Sequence, residues 1–410
     1  MLYPILLLLV LTGVDANWPQ FRGPNLDGHA QNSEAPITWS EKENVAWKVP
    51  IDGLGHSSPV ALGTQAWLTT ATMQDETVLL WAWGFDLESG KVTHKILLFE
   101  ITEPQNLHKL SSHSSPTSVL EPGRGYFHFG SYGTACVDTT TGKVLWKRDD
   151  IIIDHRHGPG SSPILVDDLL IVNFDGMDRQ FVTAFDKTTG KTRWQKKRDI
   201  KYGTENGERK KAFCTPLLIE HNGRQELIST AAQAVIAYDP STGKELWRVH
   251  FFGDSATARP VFGNGLLFIT TSCTDSKMWA VRPGGNGNVT ETHVAWKETR
   301  GIPQRPSPLY HQGLLYLMED KGIMNCLDSA TGEVLWKERL AGNYTASPIL
   351  VNGKIYVTSE EGKTVVLQPG KEFQLISENL LETGCVASPA VLPDGLLLRT
   401  STHLYKLKSN

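Results

Sequence analysis

The sequence predicts an all-β protein: an eight-bladed β-propeller of four-stranded antiparallel blades, closed by an N-terminal strand that completes the C-terminal blade. Three observations predict it. The stretch from Asp138 to Trp146 reads DTTTGKVLW, and nearly the same word returns at Asp186 (DKTTGKTRW), Asp239 (DPSTGKELW) and Asp328 (DSATGEVLW). A second word, most often a small hydroxyl residue before proline, recurs at Ser58-Pro59, Ser115-Pro116, Ser162-Pro163, Thr215-Pro216, Arg259-Pro260, Ser307-Pro308, Ser347-Pro348 and Ser388-Pro389. Its prolines lie 57, 47, 53, 44, 48, 40 and 41 residues apart, a period shared by propeller blades and helical arrays. The residues between the words decide for strands. After Ser347 the chain reads SPILVNGKIYVTSEEGKTVVLQPGKEFQLI, short β-rich runs broken by Asn-Gly, Glu-Gly and Pro-Gly, which is a meander of hairpins.

Taken in order, residues 1–16 read as a signal peptide. The apolar run Ile5–Leu11 is too short to cross a bilayer, and Val14 and Ala16 supply small residues before a cut at Asn17, although no Lys or Arg precedes the run. Residues 17–42 form an entry segment, and residues 43–410 a single propeller domain. In each copy the hydroxyl-proline word opens an innermost strand, where a missing N–H costs least. Two further strands follow, then the Asp-x-x-Thr-Gly-Lys hairpin, whose Asp and Thr side chains can accept backbone N–H bonds while Gly supplies a positive φ. The outermost strand carries the tryptophan. Trp146, Trp194, Trp247, Trp296 and Trp336 are expected to wedge between neighbouring blades, each indole N–H finding an acceptor there. The last copy supplies three strands, and its missing tryptophan strand is expected at Asn44–Pro50, with Trp47 completing the C-terminal blade and hiding the edges of the ring. Blades one and seven are degenerate: Gly90-Lys91 leads to no tryptophan, and Phe373 stands in near the seventh.

Composition excludes some functions. Net charge is −4, so no global field favours nucleic acid. No apolar stretch reaches transmembrane length. The five cysteines, Cys136, Cys214, Cys273, Cys326 and Cys385, are scattered, with no Cys-x-x-Cys to hold zinc or act in redox exchange. There is no P-loop, dinucleotide-binding fingerprint or nucleophile elbow. Asn173–Asp178 reads as a hairpin turn rather than a calcium loop, because it lacks the ligand spacing and the closing glutamate.

Function is expected where the loops entering the innermost strands gather around the axis. These loops carry His56, His113, His155 and His157 in the first three blades, Arg259 and Arg305 in blades five and six, and Tyr344 in blade seven. Equivalent positions in a ring point at a common centre, so a cationic, histidine-rich mouth is predicted. Imidazoles from separate blades, His56, His113 and His157, are the metal candidates. The arginines and histidines are alternatively suited to an anionic ligand or an acidic peptide. A polar channel lining bonded only to backbone and water is the plain structural reading of the same residues.

The combination SSP…D-x-x-TGK-x-x-W over residues 43 to 408 resembles the pyrroloquinoline-quinone-like propeller repeat. That repeat is shared by quinoprotein alcohol dehydrogenases and by the propeller lipoprotein of the outer-membrane barrel-assembly machinery. The opening Trp18-Pro-Gln-Phe-Arg-Gly-Pro24 resembles the entry segment of secreted propellers of this type. The resemblance implies the fold directly and function only loosely, because such folds host unrelated activities. In the dehydrogenases it implies quinone with calcium on the axis and a pair of adjacent cysteines, and this chain has no such pair. The expectation is therefore an exported, periplasmic or secreted, monomeric propeller that binds a protein or an anionic ligand without catalysis and without a bound cofactor. The alternative is a quinone- or metal-dependent oxidoreductase, which would use pyrroloquinoline quinone with calcium; no catalytic residue can be assigned for it.

Overall fold

The computed structural model describes residues 16–272 and 276–409, so all of the predicted leader but its last residue, and Cys273, lie outside the described residues. Eight antiparallel four-stranded blades follow one another around an axis, at residues 60–101, 119–148, 164–197, 217–250, 261–298, 309–339, 349–380 and 390–407 with 45–50. Each recurring word has its physical reason. Asp138 Oδ1 accepts the N–H groups of Thr140 at 2.9 Å and Thr141 at 2.7 Å, and Asp186, Asp239 and Asp328 do the same in their own turns. Burial then alternates along the outer strand, and a bulge next to the tryptophan re-aims it inward.

The predicted tryptophans sit on the outermost strands and pack between blades. The indole N–H of Trp146 donates to Lys187 O at 3.0 Å, Trp194 to Pro240 O at 3.0 Å, Trp296 to Ser329 O at 3.1 Å and Trp336 to Gly370 O at 3.0 Å, each acceptor lying in the next blade's turn. The turn glycine is needed twice over. Gly190 and Gly332 have φ of +72° and +79°, and a Cβ on either would lie 2.7 Å from the ring of Trp146 or Trp296. Trp247 differs: it is fully buried beneath the extra strand Gly287–Asn288, and its indole donates to Glu226 of its own blade at 2.7 Å.

The degenerate blades are repaired locally. His94 pairs with Gly84 at the tryptophan position of blade one and lies against Gly142 of the next turn. In blade seven that position is Ser377, which pairs with Val366. Phe373 does not replace the tryptophan: it packs edge-on against Trp336, 5.4 Å between centroids. The groove left open is filled by Trp39 of the entry segment, stacked on Tyr356.

Closure follows the expected route. Val45–Pro50 pairs antiparallel with His403–Leu407, and the Trp47 indole N–H reaches Leu87 O of blade one at 3.1 Å. The entry segment does more than precede the ring. Ala16–Trp18 pairs with Ala61–Gly63 on the innermost strand of blade one, and Pro19 O accepts the N–H of Leu120 in blade two. His29–Ala30 then runs parallel to Leu350–Val351 of blade seven. Between them, buried Arg22 donates to Pro308 O at 2.9 Å and Pro348 O at 3.1 Å, while Leu26 packs into the core of blades four and five. Residues 16–30 therefore cross the axis from rim to rim and stop it.

Candidate functional site

The axial site is built from the hydroxyl-proline words. Just before each innermost strand, one hydroxyl accepts a backbone N–H from the preceding blade. Ser58 N–H donates to Thr117 Oγ1 at 2.9 Å, Thr117 N–H to Ser162 Oγ at 2.9 Å, and Ser162 N–H to Thr215 Oγ1 at 3.0 Å. The series resumes from Arg259 N–H to Ser307 Oγ at 3.0 Å. It continues from Ser307 to Ser347 at 3.0 Å, from Ser347 to Ser388 at 2.9 Å and from Ser388 back to Ser58 at 3.1 Å. This belt satisfies backbone donors that would otherwise be buried without partners. It also corrects the reading of blade two: Thr117-Ser118, not Ser115-Pro116, is the equivalent word, because the belt needs a hydroxyl two residues before the strand that begins at Val119. The belt has one break. Blade five places Arg259, which has no hydroxyl, opposite Thr215.

Above the belt the ring opens into a funnel of about 840 Å³, and Phe21 of the entry segment lines it together with the belt hydroxyls. The axis is thus a blind funnel rather than a through-channel. Its wall carries His56, His108 and His157, with Lys211 and Glu208 from the longest loop and Arg305 opposite. Of the predicted residues, His56, His157 and Arg305 reach it. Burial holds His56 neutral, its pKa lowered to about 4 with the Arg399 and Arg305 guanidiniums adding to the shift. Burial also lowers His157, and the Lys211 ammonium adds to it.

The other predicted residues sit elsewhere. His113 and His155 both pack edge-on against Tyr132, with centroids 5.4 and 5.2 Å away. His155 is 3% exposed, and burial lowers its pKa to about 4. Tyr344 is fully buried between blades six and seven and donates to Ala341 O at 3.1 Å. Arg259 is 1% exposed and lies behind the lining, donating from Nη1 to Phe21 O at 3.0 Å. The metal candidates His56, His113 and His157 are not gathered into one ligand set, and among the described residues no group of three or more His, Cys, Asp or Glu is placed to hold an ion.

The mouth is charge-balanced rather than cationic. Arg209, Lys211, Arg305 and Lys321 line it, and so do Glu208, Asp254, Glu319 and Asp320. Arg305 is a hub: Nε meets Asp320 at 2.5 Å, and Nη1 meets Glu360 at 2.9 Å and the Thr345 hydroxyl at 2.5 Å, tying three loops together. Arg209 meets Asp254 at 3.3 Å, and Lys211 is paired with Glu208. Sequence reasoning missed Phe21, His108 and every one of these carboxylates. The hydroxyl before proline was the available signal for the belt; nothing local announced the ion pairs Arg209–Asp254 and Arg305–Glu360, which join neighbouring blades.

Among the described residues, eleven large apolar side chains are exposed. Leu54, Met73, Leu107, Leu110, Ile152 and Phe252 all lie on inter-blade loops or second hairpins, which the alternation of strand direction places at the funnel's open face. Phe252 is 75% exposed and Leu54 68%.

A closed eight-bladed ring with a hydroxyl belt, Asp-Thr-Gly turns and interlocking tryptophans defines a propeller of the pyrroloquinoline-quinone-like repeat class. A family model described as outer membrane protein assembly factor BamB matches residues 136–222 and 178–368, together more than half the chain, and the chain belongs to that family. It is 30% identical over 209 residues to the outer membrane protein assembly factor BamB of Legionella pneumophila (strain Paris), a match covering 49% of each chain. The chain therefore spans about half the length of that relative. It is 24% identical over 234 residues to a tetrathionate hydrolase of Acidithiobacillus ferrooxidans, covering 55% of this chain and 36% of the hydrolase. In structure it resembles BamB from Moraxella catarrhalis, with TM-score 0.58, 12% identity and coverage of 88% and 99%. It also resembles the quinohemoprotein alcohol dehydrogenase of Comamonas testosteroni, with TM-score 0.69, 11% identity and coverage of 96% and 81%. At those identities the solved structures show the fold.

Proposed function

We propose that this chain is an exported, non-catalytic propeller whose funnel face docks a protein partner. The observation that carries the reading is that six exposed apolar side chains share the funnel face, on the loops of blades one to three and the loop between blades four and five, beside a mouth most of whose charges are paired. Single exposed apolar residues are ordinary, but several gathered on one face of a rigid ring mark an interaction surface. The kinship with outer membrane assembly factors supports a scaffold role in the same direction. Export is read from the leader-like residues 1–16; among the described residues no helix is long and apolar enough to cross a membrane.

The test is site-specific photo-crosslinking in the native host from Phe252, Ile152 and Leu110, with Thr140 on the opposite face as the control. The reading expects one discrete adduct shared by the three funnel-face positions and lost in Phe252→Glu. Adducts only from Thr140, or none from any position, would overturn it.

The structural likeness to quinoprotein dehydrogenases favours a second reading, an oxidoreductase using pyrroloquinoline quinone with calcium. The residues present do not fit that pair. Calcium takes six to eight oxygen ligands with carboxylates among them, whereas Asp320, Glu360, Asp254 and Glu208 are committed to Arg305, Arg209 and Lys211. Cys136, Cys214, Cys326 and Cys385 are buried in four different blades. Saturable, calcium-dependent quinone binding by calorimetry, followed by dye-linked alcohol oxidation, would displace the scaffold reading.

A further inference from the structure

The break in the hydroxyl belt is occupied by charge. Arg259 stands where seven other blades present Ser or Thr, and its side chain turns toward the entry segment that stops the axis. Nη1 has Phe21 O, but Nε and Nη2 are buried with no hydrogen-bond partner among the described residues. Arg22 lies close enough to repel it, and no carboxylate lies within ion-pair distance of either guanidinium among the described residues; Asp27 acts on both only at longer range. Asp27 is itself occupied, accepting His29 N–H at 2.9 Å. Burial drives the pKa of Arg259 down to about 9 and that of Arg22 to about 10. Two buried cations without a counter-charge are costly, and an open guanidinium edge is a donor pair awaiting acceptors.

We infer that the floor of the funnel holds a small oxyanion, gripped by the Nε and Nη2 edge of Arg259 with Arg22 supplying the second positive charge. The Nε–Nη2 edge presents two parallel N–H groups, the geometry that matches two oxygens of a phosphate, sulfate or carboxylate. A water molecule could fill the donors but would leave both charges uncompensated. Ser307, which accepts the Arg259 N–H, lines the funnel together with Thr215 and Thr257, so the funnel borders this part of the belt and is the side from which an anion, or the anionic end of a longer ligand, would approach. The site stands apart from the apolar rim proposed for partner docking.

The test is calorimetric titration of the full chain with inorganic phosphate, sulfate and acetate at constant ionic strength, chloride being the balancing ion. One site per chain is expected. Preference for phosphate and sulfate would identify a tetrahedral anion, and preference for acetate a carboxylate. Arg259→Ser is the deciding variant, because a serine hydroxyl there can accept the Thr215 N–H and complete the belt. It is expected to fold, to keep its funnel-face crosslinks and to bind the anion at least tenfold more weakly. Arg259→Lys, which keeps charge and loses the planar fork, should fall between. No heat with any of the three anions in the wild-type chain, or equal affinity in Arg259→Ser, would overturn the inference.

Discussion

Gly332 offers a sharp test of how the blades lock, because one substitution can be compared with a near-identical control. Gly332 (φ +79°) and Gly353 (φ +70°) both sit in tight turns with left-handed backbone. Alanine at either position meets the same backbone penalty, about 1 kcal/mol. Their surroundings differ. A Cβ at Gly353 meets nothing within 4 Å, whereas at Gly332 it would lie 2.7 Å from Cε3 of Trp296. Trp296 can yield only by moving out of the seam, which breaks its bond to Ser329 O. That bond contributes about 1 kcal/mol, and overpacking at a filled contact costs about 1–3 kcal/mol more. Gly332→Ala should therefore destabilise by about 3–5 kcal/mol and Gly353→Ala by about 1 kcal/mol. Urea unfolding followed by tryptophan fluorescence separates the two. Equal midpoints for the two variants would refute the claim that the turn glycines are kept small by the preceding blade's indole.

Three further outcomes are expected. Arg305→Met leaves Asp320 and Glu360 without their shared cation and should cost about 2–3 kcal/mol in urea unfolding, with Arg305→Lys recovering less than half because lysine cannot reach both carboxylates and Thr345 in one fork. His155 is held neutral with a pKa near 4, against an ordinary 6.5, so the unfolded chain takes up a proton between those values and the folded chain does not. Stability is complete above pH 6.5 and falls as pH drops toward 4, by up to about 3 kcal/mol for this residue; unfolding midpoints at pH 7.5 and 5 should differ less in His155→Gln. The thiols of Cys136, Cys214, Cys326 and Cys385 are buried and pushed up to about 12, so native protein should leave these four unlabelled by iodoacetamide in peptide mapping, and urea should expose all four.

The repeat was legible because its information is local. Asp138, Thr141 and Gly142 act within a single turn, and the tryptophan that follows lies three or four residues away, so each copy spells its own hairpin. Legibility failed where the partner lies far along the chain. Proline drew attention to Ser115-Pro116, although the residue that matters is Thr117, identified only by the N–H of Ser58 across the blade boundary. The histidines and arginines are read from the axial loops, but loop membership does not fix direction: His155 and Tyr344 turn into the core, while His56 and Arg305 face the funnel. The cationic mouth was overdrawn because arginine was counted in the entering loops and its carboxylate partners, Asp320 and Glu360, come from second-to-third-strand hairpins. Phe21 and Trp39 belong to the stretch read only as an entry segment; nothing in their neighbours says that one reaches the axis and the other packs on blade seven.

The path of residues 16–50 bears on how the molecule is made. These residues leave the ribosome before every blade of the ring, yet their partners include Pro308, Leu350, Asn379 and His403. A ring that needs Pro50 beside His403 cannot close until His403 has been made, and until then the blades already formed expose an unpaired edge. Order of synthesis and order of assembly thus run opposite to one another, which makes the early segment a natural place for a holding chaperone and late closure the expected slow phase of refolding.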